Sequence, residues 1–245
     1  MITLRSLIFT FLLFASAILM SAVELLFFWA PFSVKWRIAV AWARFSLWAG
    51  RIFCGLVVVT EGRENIPAEP CVYLIKHTTA LEAYWQIAAL PPAHWVLKRE
   101  LLWIPVFGWA LGFVMKSIAI NRGAGGPAVR QVIRRGREKI AAHRSVCIFP
   151  EGTRMAPGET RRYGVSGAAL AKDVGCPIVP VAHNAGDFWP KRGLRKYPGT
   201  IRFCIGPPID PTGRAPKEIN LLAQEWIESR MAEISSIYKQ QARKS

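Results

Sequence analysis

The sequence predicts an α/β fold: a mixed, largely parallel sheet flanked by helices and preceded by an N-terminal membrane-associated helical pair. Three observations carry this. Short runs rich in branched and aromatic apolar residues alternate with amphipathic stretches of helical period, the pattern of strand–helix–strand units. Two of those runs, 71–75 and 146–148, end in polar, charge-bearing turns, and α/β proteins bind ligands beyond the carboxyl ends of parallel strands. In the first 29 residues only Arg5 and Glu24 are charged.

Residues 6–29 are long and apolar enough to cross a hydrocarbon core, which needs about 20 residues of helix. A secretory signal cleaved after Ala15-Ser16-Ala17 is the competing reading, but the apolar run continues well past that point, so an uncleaved anchor fits better. Pro31 breaks the helix and Ser33 can cap a second one running to about Gly55. Arg37, Arg44 and Arg51 recur every seven residues along it, drifting only about 20° per step. That stripe suits a helix lying in the membrane interface with its guanidiniums at lipid phosphates; a helix packed on the next domain with its arginines in water is the alternative. The chain therefore divides into a membrane anchor and interfacial helix, 1–55, and a globular α/β domain, 56–245. Lys35 and these arginines follow the anchor while only Arg5 precedes it, which places the domain on the cytoplasmic side.

Strands are expected at 56–60, 71–75, 94–97, 117–120, 146–149, 178–182 and 201–205. Helices are expected from Pro127 to about His143, from Gly167 to about Val174, and from Glu218 to about Lys239. Residues 101–115 carry no charge. They read as a buried core helix, or more sharply as the lining of an acyl-chain groove.

With 245 residues, 52% of them apolar, the chain can bury one large core. Its 32 Lys and Arg against 16 Asp and Glu leave a net charge of +16, so the partner is anionic: nucleic acid, an acidic membrane surface or a phosphorylated substrate. The apolar N-terminus favours the membrane. Basic residues are dispersed and the aromatics sit in apolar runs, which argues against nucleic acid. Five cysteines, odd in number and without a C-x-x-C pair, read as buried thiols in a reducing compartment. No metal site is suggested.

His77 lies just past a strand with Glu82 five residues on. If His77 stays in the turn and a helix begins near Thr79, Glu82 can accept from one ring nitrogen and leave the other as a base. Thr79-x-x-Glu82 is equally a capping box, a routine helix start. In Phe149-Pro150-Glu151-Gly152-Thr153-Arg154, the glycine permits close backbone approach to a ligand, the threonine offers a hydroxyl and the arginine a two-pronged phosphate contact. Arg122, at another strand end, offers a second such contact. Gly164-Val165-Ser166-Gly167-Ala168 mimics a hydrolase nucleophile elbow but lacks its last glycine and a strand leading into it.

Together these stretches resemble the 1-acylglycerol-3-phosphate acyltransferase family of the glycerolipid acyltransferases. The family's His-x4-Asp block is matched by His77-Thr-Thr-Ala-Leu-Glu82, its Arg-bearing block by Ser117-Ile-Ala-Ile-Asn-Arg122, and its Phe-Pro-Glu-Gly-Thr-Arg block by 149–154 intact. An apolar strand with proline matches Ile178-Val-Pro-Val-Ala182, and the similarity covers about 55–210. Glu82 in place of Asp lengthens the carboxylate by one methylene, and Asn121 replaces an acidic residue often found before the arginine. The resemblance implies direct acyl transfer from acyl-CoA or acyl carrier protein to the sn-2 hydroxyl of lysophosphatidic acid, giving phosphatidic acid. His77 would be the base and Glu82 its stabiliser, and Arg122, Glu151, Gly152, Thr153 and Arg154 would hold the acceptor. It implies no cofactor beyond the co-substrate, and a home on an anionic membrane, the bacterial inner membrane. Another lysolipid acceptor, such as a lyso-ornithine lipid, and a non-catalytic basic membrane-binding protein are the alternatives.

Overall fold

A computed structural model describes residues 1–242 apart from Arg122, Ala124 and Arg192, with side chains described as far as Gln240. Seven strands among them form one sheet: β1 (Leu56–Glu61), β2 (Val72–Ile75), β3 (Ala93–Lys98), β4 (Ile118–Ile120), β5 (Ser145–Ile148), β6 (Ile178–His183) and β7 (Gly199–Ile205). Their order is β1-β7-β6-β2-β5-β3-β4. All neighbouring pairs are parallel except β6–β7, which is antiparallel. The sheet is thus mixed and largely parallel, as expected. β2 is central and every one of its residues is buried, which explains its unbroken apolar run.

Alternate residues of each strand face opposite layers. Tyr73, Ile75, Cys147, Val179 and Val181 pack beneath three helices, α1 (Ile2–Leu26), α2 (Phe32–Cys54) and α3 (Leu81–Ala89). Val72, Leu74, Val146, Ile148 and Ile178 face the other layer, which holds α5 (Gly126–Ala141), α6 (Ser166–Val174) and α8 (Pro216–Ile234). The short α4 (Phe107–Trp109) precedes α5, the small α7 (Ala185–Phe188) lies between α6 and α8 in sequence, and α9 (Ser236–Ala242) follows α8. Gly167 is a packing residue, since a Cβ there would sit 2.7 Å from Leu74. The elbow-like Ser166-Gly167 pair is therefore the start of a helix pressed onto the sheet.

The N-terminal pair is a layer of the fold that shares the sheet's core, with Phe9, Trp36, Ala39, Ala43 and Ala49 inside it. α2 crosses the sheet from edge to edge. Its first residue, Phe32, lies against His94 at the start of β3, ring centroids 5.0 Å apart. Its far end meets β7, where Gly199 N–H donates to the Gly55 carbonyl at 3.0 Å. Because β7 opposes β6, that end is the carboxyl edge of the parallel strands. α1 runs back alongside. The Arg5 guanidinium donates to the carbonyls of Phe53 (2.6 Å) and Ile52 (3.0 Å), capping α2 where its carbonyls lack helical partners, while Lys35 Nζ donates to the Phe28 carbonyl at 3.2 Å. Arg37, Arg44 and Arg51 are exposed along α2 with Phe45, Trp48 and Ile52 beside them.

Residues 101–115 depart from the expected continuous core helix. A 3₁₀ turn, Arg99–Trp103, gives way to α4 and then a π-helix, Ala110–Val114. Pro105 is the reason: it has no N–H to donate and disfavours helix at the residue before it. Ala110, Val114 and Met115 are buried, but Trp103, Ile104, Trp109 and Phe113 face outward, beside α1. All five cysteines are free and buried.

Candidate active site

β2 and β5 are neighbours in register, Leu74 opposite Ile148. Their carboxyl ends therefore deliver Lys76-His77 and Phe149-Pro150-Glu151 side by side. The two turns are stitched together. His77 N–H donates to Glu151 Oε2 at 3.0 Å, Met155 N–H donates to the His77 carbonyl at 2.7 Å, and the His77 ring stacks on Phe149 with centroids 4.0 Å apart and planes 13° apart. The imidazole is thus held by its backbone and by one face.

Glu82 fixes the rest of its orientation. Its Oε1 lies 2.8 Å from His77 Nδ1, so the extra methylene relative to Asp does not break the contact. The same oxygen accepts from the N–H groups of Thr78 (2.9 Å) and Thr79 (2.8 Å). Thr79 Oγ1 donates to Glu82 Oε2 and accepts from Leu81 N–H at 2.9 Å. One carboxylate thus meets both the His77 ring and the backbone at the start of α3. Burial alone would raise the Glu82 carboxyl; the hydrogen bond from His77, the nearby His183 and the Thr79 hydroxyl outweigh it and hold the group down at about 2. An ionised Glu82 leaves the proton on Nδ1, so Nε2 carries the free lone pair.

His183, which closes β6, stands behind this pair. Its Nε2 donates to the Lys76 carbonyl at 2.7 Å and its Nδ1 accepts from Ala185 N–H at 3.3 Å. Burial lowers its pKa against the pull of Glu82, and both of its nitrogens are engaged. Glu82 Oε2 is 4.0 Å away. The sequence reading missed His183, although a polar residue ending an apolar strand is the same signal that singled out His77.

The Phe149-to-Arg154 turn divides its labour. Gly152 has φ +69°, while a Cβ there would meet nothing within 4 Å; glycine is needed for the left-handed turn and not for want of room. Beyond it Thr153 and Arg154 are exposed, and among the described residues their side chains make no hydrogen bond or ion pair. Glu151 behaves otherwise. It is 3% exposed, with Oε2 on His77 N–H and Oε1 2.8 Å from Lys76 Nζ. Expected to hold the acceptor, it is instead turned into the protein, where its carboxylate is already occupied. Burial pushes it up to about 7 against the pull of Lys76. Arg122 lies outside the described residues; β4 brings the chain to the same edge at Ile120. Among the described residues no three His, Cys, Asp or Glu side chains are grouped as metal ligands.

The acyltransferase family model matches residues 57–184, from β1 through His183. The chain is 42% identical over 241 residues to the 1-acyl-sn-glycerol-3-phosphate acyltransferase of Pseudomonas aeruginosa, covering 96% of this chain and 93% of that one. It is 28% identical over 175 residues to the human 1-acyl-sn-glycerol-3-phosphate acyltransferase alpha, covering 69% of this chain and 60% of that one. The crystal structure of the 1-acyl-sn-glycerophosphate (LPA) acyltransferase PlsC from Thermotoga maritima shares the fold, with a TM-score of 0.76, 21% identity and 94% of each chain covered. A family match spanning the paired turns, with a relative similar end to end, places this chain in the acyltransferase family alongside the 1-acyl-sn-glycerol-3-phosphate acyltransferases.

Proposed function

We propose that this enzyme transfers an acyl chain from a thioester, acyl-CoA or acyl carrier protein, to the sn-2 hydroxyl of lysophosphatidic acid, giving phosphatidic acid. The observation that carries the reading is the His77–Glu82 pair set on one strand end beside the Thr153-Arg154 turn on the next. His77 Nε2 takes the hydroxyl proton as that oxygen attacks the thioester carbonyl, and Glu82 stabilises the imidazolium that forms. The tetrahedral adduct collapses by breaking its C–S bond, and the departing thiolate takes the proton from Nε2. No acyl-enzyme is needed, because a thiolate already leaves readily. Thr153, Arg154 and Arg122 hold the acceptor's phosphate, and Glu151 acts by bracing the His77 backbone. Purified enzyme in detergent micelles with lysophosphatidic acid and each donor in turn will form phosphatidic acid. Product only from another lysolipid would reassign the acceptor, and none from any lysolipid would remove the reaction.

Arg154→Ala will raise KM for lysophosphatidic acid while leaving that for the donor unchanged. A charge-assisted contact is worth about 1.5–3 kcal/mol, so kcat/KM falls roughly ten- to a hundredfold. Lysine there recovers only part of the loss, having a point charge and no planar fork. Titrating acceptor and donor separately checks this.

The membrane reading rests on α1. One of its faces is fastened to the domain: Ser6 Oγ accepts from Lys196 N–H (2.9 Å), and Trp42 Nε1 donates to Ser16 Oγ (3.1 Å). Phe9 and Leu13 are buried between those points. The opposite face exposes Leu4, Leu7, Phe11, Phe14, Ile18 and Leu19. A helix engaged over its length has one face left for lipid, which favours lying in the bilayer surface over crossing it alone. The arginines of α2 then meet lipid phosphates, and the catalytic domain stays on the cytoplasmic side. Phe11→Glu with Phe14→Glu will cut partition onto anionic vesicles at least about a hundredfold. Activity on micellar substrate will stay within about twofold, as vesicle flotation and the micelle assay will read.

A further inference from the structure

Behind the catalytic turn lies a buried charge array that the acyl-transfer chemistry leaves unused. Lys76 is wholly buried. Its ammonium stands 2.8 Å from Glu151 Oε1 and 2.7 Å from Glu228 Oε1, and donates to the Glu159 carbonyl at 3.2 Å. Two hydrogen bonds, to Glu228 and the Glu159 carbonyl, and the ion pair to Glu151 thus hold it from three sides. Glu228, on α8, also accepts from the hydroxyls of Thr160 (2.8 Å), Tyr163 (2.9 Å) and, at its other oxygen, Tyr238 of α9 (3.1 Å). Glu151 in turn accepts from His77 N–H. A continuous path therefore runs from the C-terminal helices through Lys76 and Glu151 to the backbone of the base.

Stability alone is a weak reason for such an array. Taking an ammonium and two carboxylates out of water costs several kcal/mol per ion, and apolar side chains of similar volume often serve a core as well. What apolar residues would not do is fix direction. Lys76 leaves the end of β2 and Glu151 the end of β5, so their ion pair sets the two turns against each other. Glu228 holds the ammonium from the third side and keeps it from swinging.

We propose that Lys76 and Glu228 are positioning residues: through Glu151 they fix the His77 turn against the Thr153-Arg154 turn, so that the base meets the acceptor hydroxyl in register. This rests on the proposed function. It brings the C-terminal helices into the site's frame although Glu228 lies 152 residues from Lys76 in sequence.

The test uses the full-length enzyme in detergent with three variants. Lys76→Met leaves two carboxylates without their cation and will melt well below wild type. Lys76→Met with Glu151→Gln removes the pair together and will recover most of that loss. Its turnover will nevertheless stay lower by about ten- to a hundredfold, the penalty of a misplaced base, with the donor's KM within about twofold of wild type. Glu228→Gln keeps an oxygen for the hydroxyls and will lose turnover by roughly five- to tenfold with little change in melting. In both of the latter the His77 Nδ1 proton resonance, identified by its absence in His77→Ala, will move. Turnover that simply follows the melting temperature across the three variants, or an unmoved His77 resonance, would overturn the proposal and leave an ordinary ion pair. Should the wild type acylate no lysolipid, the functional reading fails on its own, and the resonance in the double variant and Glu228→Gln decides the positioning claim.

Discussion

Replacing His77 with alanine will abolish measurable acyl transfer and leave the fold in place. On the proposed mechanism the imidazole takes the hydroxyl proton, and general-base assistance of this kind is worth about 10²–10⁴ in rate. Its side chain is 13% exposed, stacked on Phe149 and bonded to Glu82. The backbone bonds from His77 to Glu151 and from Met155 to His77 do not depend on the ring. A fall in kcat with KM for both substrates close to wild type and only a modest fall in melting temperature, since Glu82 loses one hydrogen-bond partner and keeps those from Thr78 and Thr79, followed by thioester cleavage and thermal unfolding, is the expected pattern. Equal loss of turnover and stability would mean that the ring braces the turn and takes no proton.

Glu82→Gln will lower turnover by about the same order and will also lower stability. An amide keeps one oxygen for His77 Nδ1 and the two backbone N–H groups, but it cannot stabilise an imidazolium as a carboxylate does. At the Oε2 position its NH₂ meets the Thr79 hydroxyl, which now donates there and would have to turn around. The stability effect has a pH signature. Folding holds the Glu82 carboxyl near 2 against an ordinary 4.5, despite burial, chiefly through the His77 hydrogen bond. Because folding depresses it, its contribution, about 3 kcal/mol, is whole above pH 4.5 and is lost as the pH falls towards 2. The gap in melting temperature between wild type and variant will therefore be widest near neutrality and close through that window. Glu151, raised to about 7, has the opposite sign, but its effect sets in only above pH 4.5 and is complete above about 7, so the two windows do not overlap. A gap that persisted at pH 2 would mean that the capping geometry, and not the charge, supplies the stability.

Much of this was legible because it is local. His77, Glu82 and the capping box lie within six residues, and Thr79-x-x-Glu82 sets a helix start whatever the rest of the chain does. Phe149 to Arg154 is likewise contiguous, and the apolar runs before both stretches announced the strands that deliver them. What stayed hidden depends on pairing across the chain. That β7 would turn antiparallel beside β6 leaves no trace in its own residues. Lys76, His183 and Glu228 meet only because β2, β6 and α8 converge, and each alone is an unremarkable polar residue. The partner of Glu151 was hidden for the same reason: in the linear motif it sits between candidate ligand contacts, and only the fold brings Lys76 against it. The failure at 101–115 was different, since Pro105 stood in plain view within an otherwise helical composition.

The path of α1, from Arg5 at the catalytic edge to Phe28 at the opposite one, carries a kinetic consequence. On the proposed reading, with α1 in the bilayer surface and acceptor and product both residing there, the enzyme searches in two dimensions. Its encounters are governed by the mole fraction of acceptor in the leaflet, and the volume of surrounding water drops out of the rate law. Only the acyl donor still arrives by three-dimensional diffusion. The two substrates of one reaction are thus counted in different units, one per area of lipid and one per litre.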